Sequence, residues 1–389
     1  MRKTTLAALI LAATIQAKAQ TISDVLGSVE QNNMELKALL KGNEAADLET
    51  RQQNNLEGLS VEYSPFFNKD ESGIASSELI VSQGFDFPTL YGARKKAARL
   101  QRNVREMEYE TARRDILLAA KNLCLDLIHC NKQEKILAER RRNADEMLAM
   151  FTEKYNGGEA TALELNKIKM ERMNLETELA EAKAARSEAL RGLQALNGGK
   201  EIDVTMTDYP ALPTDSYMEM YEQAVTSDHG MMTAEAAVRA AEQDVKVNKQ
   251  GWLPQIEIGY RRNTEGNDAS HGFLIGGSIP IFANKNKVKQ AKARKAEAEM
   301  QQAEARIKAE SSARAMVEKM QQLHAAAKTY DVKLMYETLE LLNKAVENGE
   351  LSVTDYYTEA DEIYLNILSF LNVERQYQGV VADITKNSL

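Results

Sequence analysis

The 389-residue chain carries 28% charged side chains, six prolines and few aromatics at a mean hydropathy of -0.45, which excludes a polytopic helical membrane protein. Its load of Ala, Glu, Lys, Leu and Gln points to long paired helices rather than two or three ordinary globular domains. A formal charge of -9 leaves no basic footprint, so no nucleic-acid partner is expected.

Met1-Arg2-Lys3, the apolar stretch Leu6 to Ile15 and Ala17-Lys18-Ala19 are the parts of a cleavable secretory leader over residues 1–19. Loss of its three basic residues takes the formal charge from -9 to -12. No cysteine lies near the cleavage point, so no N-terminal lipid anchor is indicated. Cys124 and Cys130, six apart on one predicted helix, read as two reduced, packed thiols, because a bond between them would break the helix.

Beyond the leader, Thr21 to Asp24 caps a helix whose apolar positions include Val25, Leu26, Val29, Leu36 and Leu39. Two strands follow. Leu59, Val61 and Tyr63 alternate with Ser60, Glu62 and Ser64. From Ser77 to Phe87, Leu79, Val81, Phe85 and Phe87 share one face and Glu78, Ser82, Gly84 and Asp86 the other, with Ile80 an exception. Between them Asn68 to Ala75 has loop composition. Pro88 opens a long helix that Asn156-Gly157-Gly158 ends, and a return helix from Thr161 stops at Asn197-Gly198-Gly199.

Residues 200–215 hold Pro210 and Pro213 and form a linker in which Ile202, Val204 and Met206 could make one short strand. The plan then repeats. Ile256, Ile258 and Tyr260 mark a third strand, Asn263 to Ser270 a polar loop, and a fourth strand sets Phe273, Ile275, Gly277, Ile279 and Ile281 against Leu274, Gly276, Ser278 and Pro280. Past Phe282 a helical pattern runs to about Glu347, roughly 65 residues or roughly 100 Å. Its seam at Ala309, Ala313, Met316, Met320, Leu323, Ala327, Tyr330 and Leu334 has a coiled-coil period. The final helix continues that period at Val353, Tyr356, Ala360, Ile363, Ile367, Phe370, Tyr377, Val381 and Ile384, interrupted at Glu374. The chain thus divides into a first repeat, 20–199, the linker 200–215 and a second repeat, 216–389.

Four strands of about 9 to 11 residues, apolar on one face and small or polar on the other, carry the signature of a transmembrane β-barrel. Four cannot close, and an open edge is not tolerated in lipid, so the chain must oligomerise. Three copies give twelve strands. The competing fold is a soluble coiled coil with two small hairpins.

The duplicated helix–strand–strand–helix plan, the strand-end Pro88 and Pro280 and the helix-turning Gly158 and Gly349 resemble the TolC-like outer-membrane efflux proteins. Asn33-Met34-Glu35-Leu36 is similar to the Asn-Pro-x-Leu of that family's first helix, with Met in place of Pro, and Trp252-Leu253-Pro254 is similar to its approach to the third strand. The resemblance spans the mature chain. It implies a mainly α fold with membrane β-strands, a homotrimeric α/β-barrel duct with a twelve-stranded barrel in outer-membrane lipid, and long coiled-coil helices in the periplasm. It also implies a role as a passive exit duct of a tripartite efflux or type I secretion system, joined through a periplasmic adaptor protein to an inner-membrane transporter of the RND or ABC type.

The two tips align, Gly158 to Glu164 with Gly349 to Asp355, and each pairs a hydroxyl residue, Thr161 or Ser352, with an acid three positions on. Capping is one reading. The other is that Glu164 and Asp355 also form an acidic ring at the periplasmic mouth, with Asn156, Gly157, Gly158, Thr161, Asn348, Gly349 and Ser352 as tip turns that dock the adaptor. The family sometimes has an arginine where this chain has Leu351, so its usual closing network is in doubt here.

His129, His229, His271 and His324 lack ligand spacing, the glycines of Gly272 to Gly277 lie within a strand, and no cofactor, metal ion or catalytic constellation is expected. Two competitors remain: a periplasmic coiled-coil adaptor or structural protein without a channel, and a surface hydrolase on a helical stalk.

Overall fold

The computed structural model describes residues 21–69, 73–212, 216–280 and 284–389. The leader, Pro213, Ile281 and Phe282 lie outside them. Contacts divide the chain into two compact units, each fed by both sequence halves. The first takes its described residues from Met1–Asn33, Ala119–Leu212 and Leu323–Gly379, and the second from Met34–Leu118, Pro213–Gln322 and Val380–Leu389.

Thr21 starts α1 (Ile22–Asn32) with a capping box to Asp24. The expected single helix breaks at Asn33, which is buried and donates its side-chain amide to the Leu196 carbonyl at 2.9 Å. Helix α2 (Met34–Gln52) restarts with Met34 at its first position, where proline is also at home because that N–H has no helical partner. The second half breaks likewise, α5 (Tyr217–Thr226) being followed by α6 (His229–Gln250) with Asp228 as the new cap. The order between and after them is β1 (Ser60–Phe66), β2 (Ser76–Phe85), α3 (Pro88–Asn156), α4 (Ala162–Leu196), then β3 (Gln255–Glu265), β4 (Asp268–Ser278), α7 (Lys287–Lys328), α8 (Val332–Glu347) and α9 (Val353–Ile384).

At 69 residues, α3 has the length of about 100 Å anticipated for the second half. The second half does not reach it unbroken: the helix stops at Lys328 and α8 starts anew on Asp331, whose carboxylate accepts from the Leu334 N–H at 3.0 Å. The predicted seam follows that break. Ala309, Ala313 and Met320 are buried, but Leu334 is 58% exposed and Leu339 and Val346 take over as the buried positions. In α9 the seam holds from Val353 to Ile384, and the interrupting Glu374 pairs with Lys132 at 2.7 Å. The anticipated strand in the linker does not form. Val204 is buried, and the Val204 and Met206 carbonyls accept from the Asn131 side chain of α3 at 2.9 Å each. Cys124 and Cys130 are free and buried, and burial pushes the Cys124 thiol up to about 12.

The second unit contains one antiparallel sheet in the order β1-β2-β3-β4. Its second hairpin is tighter than composition suggested: Glu265 pairs with Asp268 across Gly266-Asn267 alone. A glycine at the first turn position with φ 56 suits a type II′ turn.

Candidate functional site

Residues directly opposite one another across antiparallel strands share a face, so the register decides what each face presents. One row runs Val61, Val81, Tyr260, Phe273, and the next toward the helix-connected ends holds Gln83, Ile258 and Ile275. Phe85, Ile256 and Gly277 form the row beyond. The predicted apolar sets of all four strands therefore meet on one face. The outer strand β4 is the barest, with Phe273 92% and Ile275 83% exposed, while Leu79, Val81, Phe85 and Ile256 are half-buried. The opposite face is mostly small or polar, with rows Ser60, Ser82, Gly259, Leu274 and Ser64, Glu78, Asn263, Ser270. Ile80, the exception of its strand, stands on that polar face between Glu62 and Arg261.

At the strand ends, Pro88 occupies the first position of α3, and Asp86 just before it accepts from Arg94 at 2.5 Å and from the Gln255 side chain at 3.1 Å. Pro280 follows β4, and the buried Asn284 nearby donates to the Gly251 carbonyl.

In the first unit the two predicted tips have the same geometry. After α3, the Gly158 N–H donates to the Tyr155 carbonyl and the Glu159 N–H to Lys154; after α8, Gly349 donates to Val346 and Glu350 to Ala345. This is the Schellman closure, which wants a left-handed residue at its turn, and Gly158 and Gly349 supply φ of 79 and 76. Thr161 and Glu164 form a reciprocal capping box, with the Thr161 N–H donating to the Glu164 carboxylate at 2.8 Å. That bond and the Thr161 hydroxyl hold the Glu164 carboxyl below its usual range. Ser352 donates its hydroxyl to Asp355 at 2.7 Å and accepts from the Asp355 N–H at 3.1 Å. Leu351 packs against the cluster of Val346, Val353, Tyr356 and Tyr357, a setting that suits an aliphatic side chain and not an unpaired guanidinium.

One polar cluster had no advance notice. Arg140 of α3 is buried and donates to Glu171 of α4 and Asp361 of α9, each at 2.9 Å, and to Glu178 at 3.3 Å. Its guanidinium lies 4.4 Å from the Tyr364 ring centre. Glu171 is also buried, and desolvation with the nearby Asp361 charge raises its pKa against the pull of Arg140. The only local sign of the cluster is the run Arg140-Arg141-Arg142, which reads as a solvated face.

Residues 220–386 match the family model described as outer membrane efflux protein. Over that stretch, less than half of the chain, the sequence is similar to the outer membrane efflux protein family. No curated protein sequence matches the chain. Among solved structures, the chain is similar to the VceC outer membrane protein of Vibrio cholerae (TM-score 0.75, 15% identity, 94% of this chain and 95% of that one). It is also similar to the CmeC outer membrane channel of Campylobacter jejuni (0.74, 16%, 94% and 85%) and to a membrane protein of Pseudomonas aeruginosa (0.74, 18%, 94% and 92%). At these identities the likeness is one of fold: the mainly helical chain with one four-stranded antiparallel sheet.

Proposed function

We propose that this chain is an outer-membrane efflux protein that acts as a passive exit duct: three copies close a twelve-stranded barrel through the outer membrane, and substrates arrive from an inner-membrane pump of the RND or ABC type through a periplasmic adaptor. The observation that carries this reading is the sheet register, which gathers the apolar strand positions, Ile80 and Leu274 excepted, on one largely exposed face and leaves a mostly small or polar face behind it. Lipid can cover the first and water the second. A four-stranded sheet with two free edges cannot remain so in hydrocarbon, and pairing β1 of one copy with β4 of the next removes both edges. An internally duplicated chain, 20–199 and 216–389 about the linker 200–215, then supplies two hairpins per copy. The adaptor would meet the tip turns at Asn156, Gly157, Gly158, Thr161, Asn348, Gly349 and Ser352, and Glu164 and Asp355 would line the mouth.

The test is assembly in the outer membrane of strand variants. Ile275→Arg, on the apolar face, costs about 2 to 4 kcal/mol near the bilayer midplane and should deplete the membrane-embedded oligomer. Ser278→Lys, on the polar face, should assemble. The reverse order would contradict the assigned facing, and an oligomer of water-soluble character would favour the structural coiled-coil alternative.

A further inference from the structure

The apolar face of the sheet carries one arginine. Arg262 lies opposite His271 and in one row with Leu79 and Tyr63, so it projects to the same side as Phe273 and Ile275. Its neighbour Arg261 projects to the other side and pairs there with Glu78. For Arg262 no carboxylate partner is found among the described residues. His271 is placed by the Tyr260 hydroxyl, which meets its Nδ1. A hydroxyl donated to Nδ1 leaves the ring proton on Nε2, which becomes a second donor beside the guanidinium.

Depth explains why a cation can stand on a face meant for hydrocarbon. Arg262 is two residues, about 7 Å, beyond the Tyr260–Phe273 pair toward the Gly266-Asn267 turn. All four helix connections leave from the opposite end of the sheet. If the helices are periplasmic, this row stands at the outer headgroup level, where the cost of an arginine falls to about 0 to 1 kcal/mol and tyrosines are also at home. A guanidinium with an adjacent N–H donor fits a phosphate oxygen pair better than it fits water or a zwitterion.

We infer that Arg262 and His271 form an external contact site for the phosphate of an anionic lipid in the outer leaflet, held between the guanidinium and the imidazole Nε2. The inference rests on the reading of the sheet as a membrane barrel. It is a site on the lipid side of the wall, separate from any path through it.

The experiment uses the full-length mature protein purified in detergent, incubated with diphosphoryl lipid A, and lipid retention read by native mass spectrometry, with insertion into phosphatidylcholine vesicles measured alongside. Loss of one charge-assisted contact is worth about tenfold, so Arg262→Gln should lower retention by up to about that factor. Arg262→Lys should recover part of it, and Arg261→Gln should bind as the parent does. Dephosphorylated lipid A should be retained poorly by all of them. Equal retention by Arg262→Gln and parent, an equal loss in Arg261→Gln, or displacement by equimolar inorganic phosphate would each overturn the lipid-phosphate site. If the parent itself fails to enter vesicles, the barrel reading falls and takes this inference with it; if it enters and Arg262→Gln retains lipid normally, only this inference falls.

Discussion

Replacing Arg140 by Met leaves the buried Glu171 carboxylate without its cation. The two side chains are only 9% and 6% exposed, so solvent cannot take over the lost interaction. Asp361 and Glu178 are 40% and 42% exposed and add little by themselves. Breaking a buried pair on one side typically costs about 3 to 5 kcal/mol, and the lower end applies here because the remaining carboxylates reach water. About 3 kcal/mol corresponds to opening of α4 and α9 roughly 100-fold more often, which hydrogen exchange at amides around Glu171 and Asp361 reads directly. The sign with pH follows from Glu171, whose folded pKa is already raised. Without Arg140 it rises further, so the folded state binds a proton the unfolded chain lacks and stability falls as pH increases through that range. The deficit of Arg140→Met should therefore be large at about pH 7 and shrink at about pH 5. Arg140→Met with Glu171→Met should recover most of the protection. Protection of the single variant within threefold of the parent at neutral pH, or a deficit that widens in acid, would refute this account of the cluster.

The tips give three further outcomes. Glu164→Gln with Asp355→Asn should reduce cation preference in planar bilayers while oligomers persist, since an amide oxygen can still cap; unchanged ion selectivity at matched salt would leave these acids as caps alone. Because the Glu164 carboxyl is held low by its Thr161 bonds, the cap's contribution is present at neutral pH and is lost as pH falls through that lowered pKa, so protection of the first-turn amides of α4, relative to their intrinsic exchange rate at each pH, should fall in acid and should not do so in Glu164→Gln. Gly349→Ala forces an L side chain to φ 76 at a cost of about 1 to 2 kcal/mol and should expose the α8–α9 turn to proteases faster than the parent.

The parts of this fold that were legible in the sequence are those written in local periods. Strand facing was readable because successive side chains of a strand point to opposite faces, so a face of one character must alternate in the sequence, and the observed pairing of Val61, Val81, Tyr260 and Phe273 joins four patterns found separately. The tips were readable because a left-handed glycine followed by a hydroxyl and an acid is chemistry confined to seven residues. What escaped notice is non-local or is polar where polarity misleads. Asn263 to Ser270 has the composition of a loop, yet most of it is strand, since the β3–β4 ladder continues past the apolar positions through the pairs Asn263–Ser270, Thr264–Ala269 and Glu265–Asp268. The breaks at Asn33 and Thr329 to Asp331 are set by single side-chain bonds that interrupt an otherwise acceptable helical pattern. Arg140 meets partners 31 and 221 residues away, a distance no window of sequence spans.

The central claim is that β3 and β4 stand with one face in lipid and the other in water. Single cysteines at Phe273, Leu274, Ile275 and Gly276, each carrying an environment-sensitive fluorophore in the protein reconstituted into vesicles, test it most directly, because native Cys124 and Cys130 are buried. Positions 273 and 275 should be quenched by lipid-borne quencher and shielded from aqueous quencher, and positions 274 and 276 should show the opposite. Uniform aqueous quenching at all four positions would contradict the claim and return the sheet to solvent.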